Sequence, residues 1–168
     1  MEPTRPTLPK NIRLKGAVAC DSLLRLFSLS ARLTGDLQSS AVYLAVISAS
    51  VSAALRDPIV RAKYATDIPL PDHMRRSVSR RAVAESLGLP RETVRRKVAA
   101  LIGSGHLVIE GDGVRATGPV LEHGENLQFA IDVLRELERT STAIRRIDDA
   151  TSDPTPSEED QNGPPPVA

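Results

Sequence analysis

Residues 86–98 read SLGLPRETVRRKV. A glycine stands between two leucines, a proline follows, and then come four cations in seven residues, Arg91, Arg95, Arg96 and Lys97. Gly88 is suited to ending a helix, because it takes positive φ without a Cβ penalty. Pro90 is suited to starting one, where its missing N–H is no loss. Both flanks are patterned as helices. Ser79 is placed to cap a helix over 79–87, with Val83, Ala84 and Leu87 facing inward. A second helix, over about 90–102, carries Val94, Val98, Leu101 and Ile102 along one face. The stretch therefore predicts two short helices joined by a tight turn. Ala84 sits at their crossing, where only a small side chain fits, and Leu87, Leu89, Val94 and Val98 pin the pair. Arg91, Glu92, Arg95 and Arg96 are left on the outer face.

Downstream, Gly103 and Gly105 end the second helix, and HLVIE, GDG and VRAT predict a hairpin of two short β-prone runs over 106–117. After Gly118 and Pro119, a long helix from about Glu122 to Ile147 carries Leu127, Ile131, Leu134, Leu137 and Ile144. Upstream, Asp21 is the expected cap of a helix to about Leu33, with Leu23, Leu24, Phe27 and Ala31 near helical spacing and Gly35 as its stop. A further helix, about 37–55, shows the stripe Leu44, Ile47, Val51 and Leu55. The segment 57–76, with Pro69 and Pro71, reads as a surface connection. The expected organisation is a disordered basic tail (1–15), N-terminal helices for core or dimerisation (16–56), a connection (57–76), the helix pair with its hairpin (77–118), a C-terminal helix (119–148) and a disordered acidic, proline-rich tail (149–168).

The 168 residues carry a net charge of only +1, which hides a segregation. Eight cations lie between Arg75 and Lys97 against Glu85 and Glu92, whereas six acids and no Lys or Arg follow from Asp148 onward. A local basic block points to a polyanionic partner. Aromatics are 2% and there is no Trp, so the core must come from aliphatic side chains, which suits packed helices. The single Cys20 excludes an intramolecular disulfide framework and fits a reducing compartment. No stretch reaches the ~18 apolar residues of a membrane span, and the proline-punctuated N-terminus is no secretory signal, so a cytoplasmic protein is expected. His73, His106 and His123 lack the spacing of metal ligands. No nucleophile elbow, phosphate loop or Cys/His pairing is present, so no enzyme, cofactor or catalytic residue is expected.

Helix, tight turn, basic helix, Gly-rich break and short hairpin form the order of a winged helix-turn-helix. The expected fold is mainly α, with the hairpin as the wing and additional N- and C-terminal helices. Residues 80–101, RRAVAESLGLPRETVRRKVAAL, resemble the recognition motif of the cyclic-AMP receptor protein family of bacterial regulators, most closely in Arg91-Glu92-Thr93-Val94 followed by Arg96. Nothing N-terminal resembles that family's nucleotide-binding barrel. Similar winged helices occur in the MarR, GntR and IclR families. The resemblance implies that Arg91, Glu92 and Arg96 contact base edges in the major groove. Thr93, near the helix start, is expected at a phosphate or a base methyl. Pro90 stands where that family often has a capping Ser or Thr, and Lys97 where it has an apolar residue. Arg75, Arg76, Arg80, Arg81 and Arg95 are expected at phosphates, and Arg115 on the wing. The expected function is sequence-specific regulation of transcription on double-stranded DNA by a homodimer, with any small-molecule effector unspecified. The alternative is a winged-helix module that binds a protein.

Overall fold

The computed structural model describes residues 10–64, 70–116, 118 and 124–152. Among the described residues the named elements follow in order: α1 (Ile12–Thr34), α2 (Leu37–Arg56), α3 (Pro58–Lys63), α4 (Arg80–Leu87), α5 (Arg91–Gly103), β1 (Val108–Glu110), β2 (Gly113–Arg115) and α6 (Glu125–Ser152). A single 3-10 turn, Asp72–Met74, precedes α4. The chain is thus mainly helical, with one small antiparallel sheet.

The two-helix unit forms as its local chemistry dictates. Ser79 Oγ accepts the Ala82 amide at 3.1 Å and caps α4. Gly88 takes φ 62° and ψ 25°, and its amide and that of Leu89 return to carbonyls of Glu85 and Ala84. Pro90 is the cap residue of α5 rather than its first helical residue, and Gly103 lies inside the last turn, with the stop at Gly105, φ 80°. The hairpin pairs Val108 with Arg115, Ile109 with Val114 and Glu110 with Gly113, so Gly111 and Asp112 alone form the loop. Val78, just before α4, exchanges both backbone bonds with Val114 at 2.9 Å, which anchors the hairpin to the entrance of α4. Gly113 is required there: a Cβ on it would lie 3.0 Å from Ser77 Cβ and from the Val78 amide and carbonyl.

Several expectations are corrected upstream. The first helix starts at Ile12, behind Asn11 in the left-handed region, and not at Asp21. Asp21 lies mid-helix because its carboxylate is satisfied one turn on by Arg25, at 2.6 and 3.2 Å. Residues 12–15, assigned to a disordered tail, are helical; Lys15 reaches Asp148 on α6 at 2.5 Å. In α2 the buried face is Val42, Tyr43 and Val46 together with Ser39, Ser40 and Ser50. Of the larger stripe, Leu44, Ile47 and Val51 are half-buried, with Ile47 packed at the edge of the core, and Leu55 is exposed. The serines are tolerated in the core face partly because Ser40 Oγ bonds the Ser30 and Asp36 carbonyls, and Ser39 bonds Asp36. The connection 57–76 contains α3, started by Pro58 and by Asp57, whose side chain accepts the Ile59 and Val60 amides. Pro69, Pro119, the 122–123 start of the last helix, residues 1–9 and residues 153–168 lie outside the described residues. The C-terminal helix persists to Ser152, through residues 149–152 that were assigned to the acidic tail.

One core joins these elements. Leu33, Val42, Tyr43 and Val46 meet Val83 and Ala84 of α4, Val94, Val98 and Leu101 of α5, and Leu107, Val114 and Ala116 around the hairpin. α2 therefore forms the platform on which the two-helix unit and β2 rest. The longest helices run antiparallel, as Lys15 meets Asp148 and Ser22 accepts the Thr140 hydroxyl at 2.7 Å. Tyr43 ties this pair to the rest. Its hydroxyl donates to Asn126 of α6 at 2.7 Å, and its ring meets the His106 ring edge-on at 5.2 Å. Burial pushes its hydroxyl up to about 12, so it stays a donor throughout the neutral range.

Candidate nucleic-acid interface

Burying Val94, Val98 and Leu101 fixes the rotation of α5 about its own axis. The opposite face then carries Arg91, Glu92, Arg95 and Arg96, all exposed, with Thr93 half-buried at the border. Arg80 and Arg81 are exposed at the start of α4, and Arg76 in the segment leading to it.

The charges on this surface are not equivalent. Arg95 forks onto Glu92, Nε to Oε2 at 2.8 Å and Nη2 to Oε1 at 2.6 Å, one turn apart. These bonds hold the Glu92 carboxyl below its ordinary range. Arg81 bonds Glu85 at 2.7 Å, and Arg91 stands 3.9 Å from the same Glu85 oxygen. Among the described residues, Arg76, Arg80 and Arg96 form no ion pair. The surplus positive charge of the face therefore resides on those three and, more loosely, on Arg91.

Two expected surface cations are structural. Arg75 is 7% exposed; its Nε donates to the Leu70 carbonyl at 3.1 Å and lies 3.5 Å from Asp72. It cannot reach a phosphate without leaving the core, so its assignment as a backbone contact is corrected. Arg115 does not project from the hairpin. Its guanidinium is folded between Asp72, at 3.3 Å, and Glu110, at 3.0 Å, with the side chain 14% exposed. Asp72 holds both arginines and also accepts the Gly118 amide at 3.0 Å. A short hairpin leaves its lone arginine within reach of acids at its own base, and that decides where Arg115 lies.

Lys97 shows a different logic. Its ammonium donates to both Asp36 oxygens, at 2.9 and 2.8 Å, with its side chain 18% exposed. Asp36 is the N-cap of α2 and accepts the Ser39 amide at 3.0 Å. The bonds from Lys97, then those from Ser39, hold its carboxyl far below the usual range. This pair was not foreseen; the only trace in the sequence was a lysine where an apolar residue was expected.

Among the described residues no three His, Cys, Asp or Glu side chains gather as a metal site requires, and no helix is long and apolar enough to cross a membrane. His123 lies outside the described residues. A groove of about 350 Å³, lined by Phe27, Leu37, Ala41, Leu44, Leu87 and Leu89, opens beside the α4–α5 turn. Comparison of the chain with family models, with curated proteins and with solved structures finds no match in any of the three.

Proposed function

We propose that the protein is a winged helix-turn-helix regulator that binds double-stranded DNA as a homodimer, with α5 in the major groove. The observation that carries this reading is the division of α5 into a fully buried apolar face and an opposite face with cations outward. A helix whose rotation is fixed by its own core presents those side chains at low entropic cost, and an α-helix fits the major groove. Arg96 and Arg91 are the base-reading candidates, since arginine donates two bonds to guanine O6 and N7. Glu92 stays ionised and can accept from cytosine N4, on condition that Arg95 releases it to a phosphate. Arg76, Arg80 and Arg81 supply phosphate contacts that fix register without reading sequence. The hairpin, anchored through Val78 and Val114, flanks the helix as a wing whose arginine serves its own fold. Asp36 and Lys97 set the position of α5 against α2.

Two copies answer a limit of size, because one recognition helix covers only a few base pairs and a pair of half-sites multiplies specificity. The test is titration of the full chain with duplex DNA across salt, with and without excess random duplex. Binding that weakens steeply with salt, together with a fraction that survives the competitor, is expected. A second reading has one observation in its favour: Glu85 and Glu92 make the face mixed in sign, as in a module that binds a protein. Absence of duplex affinity at low salt selects it.

A further inference from the structure

We propose that α6 is a self-association seam: a second copy of this chain packs antiparallel along it, with Leu134 of each copy against Leu137 of the other. The proposal gives the homodimer an interface and rests on that part of the proposed function.

The seam is a second apolar stripe on one helix. Leu127, Ala130, Leu134, Leu137, Ser141 and Ile144 recur at alternating steps of three and four residues, the spacing of a coiled-coil seam. A different face, with Glu136 and Thr140, is turned toward α1. Leu127, Leu134 and Leu137 are 48%, 59% and 49% exposed. Among the described residues of α6, Glu136 alone is buried. A 28-residue helix in water is held by burying an apolar face, and here one of its two stripes is uncovered from Leu127 to Ser141, with Ile144 half-buried at its end. Leu23, Leu24 and Phe27 of the adjoining α1 are half-exposed as well.

The stripe favours a copy of itself as its occupant. Read from residue 127 to 144, side-chain sizes run large, small, large, large, small, large, and the order is the same in reverse. A second α6 laid antiparallel about the midpoint of Leu134 and Leu137 therefore sets Leu127 against Ile144, Ala130 against Ser141 and Leu134 against Leu137. Each layer occurs twice, as an isologous contact requires. The same alignment brings Arg135 near Glu138 of the other copy on both sides.

The test uses the full chain. Sedimentation at micromolar concentration should give a dimer for the wild type and a monomer for the double variant Leu134→Glu, Leu137→Glu, whose circular dichroism should be unchanged because both positions are exposed. Orientation is read by cysteine crosslinking in a Cys20→Ser background. Chains carrying Leu127→Cys and chains carrying Ile144→Cys should crosslink when mixed, and neither should when alone. A wild-type monomer, a double variant that remains dimeric, or crosslinking of either chain by itself overturns the proposal. The DNA reading fails separately. A monomer that selects a DNA sequence overturns the seam and leaves that reading standing, whereas a seam-linked dimer that ignores duplex DNA supports the seam and removes the reading.

Discussion

Lys97 of α5 and Asp36, the cap of α2, are joined by two bonds of 2.9 and 2.8 Å across 61 residues of sequence. The carboxylate thereby serves two elements: it stops the α2 amides from being orphaned and it fixes the middle of α5. Removing it should do more harm than removing the lysine. Asp36→Ala should cost about 1–2 kcal/mol, the usual loss of a helix cap. Lys97→Met should cost at most about 1 kcal/mol, because the carboxylate it leaves is half in solvent and keeps its bonds from Ser39. Urea unfolding of the two single variants and the double variant checks this, with a coupling of about 0.5–1 kcal/mol expected between neighbours in one network. A coupling of zero would mean that the pair does not position α5.

The same carboxylate sets a pH dependence. Its pKa is lower in the folded chain than in the unfolded one, so the folded state binds fewer protons. Its contribution is complete above the unfolded value of about 4 and declines as pH falls through the depressed folded value. Below about pH 4, Asp36→Asn should therefore lose stability less steeply than the wild type. Parallel slopes in acid titrations of unfolding would show that the pair adds nothing.

Gly113 and Gly88 are backbone requirements of different kinds. Gly113→Val should break the Val78–Val114 bridge by collision with the 77–78 backbone, costing about 3 kcal/mol, the upper end for overpacking, and disturbing the hairpin. Gly88→Ala meets open space and carries only the left-handed penalty of about 1–2 kcal/mol. Thermal unfolding should rank the variants in that order, and amide exchange should show the Val114 amide deprotected in the first alone.

Arg115 and Arg80 separate an arginine that serves the fold from one assigned to DNA in the proposed function. Arg115→Ala should lower stability by about 1 kcal/mol or more, since it strands Asp72 and Glu110, while leaving the salt slope of DNA binding unchanged. Arg80→Ala should do the reverse, with unchanged stability and a salt slope reduced by about one. A reduced slope in Arg115→Ala would return that residue to the interface.

Much of this was legible in the sequence wherever the signal is local. Ser79, Gly88 and Gly111 act within a few residues, and the α4, α5 and hairpin boundaries followed from them to within a residue or two. What depends on distant partners was not legible. Asp21 has the chemistry of a cap, but in the fold its carboxylate is taken by Arg25 one turn on, and the helix begins nine residues earlier, at Ile12, where Lys15 meets Asp148 of α6. The stripe of large residues in α2 lost to a face with three serines, because Ser39 and Ser40 find partners in the α1–α2 corner. Among the candidate contacts, the exposed face of α5 followed from helical spacing alone. The burial of Arg75 and Arg115 did not: Asp72, three residues from Arg75, is a local partner, but its reach to Arg115 depends on how the hairpin folds back over it.

The central claim is that α5 reads bases, and Arg96 carries it most directly, being exposed and outside any ion pair among the described residues. Selection of bound sites from a random duplex pool should be run with the wild type and with Arg96→Ala. The account predicts an enriched sequence for the wild type and, for the variant, loss of preference at one position per half-site with residual binding retained, at a cost of about 1–3 kcal/mol for that base pair. Uniform weakening across all sequences, or no enriched sequence from the wild type, would contradict it.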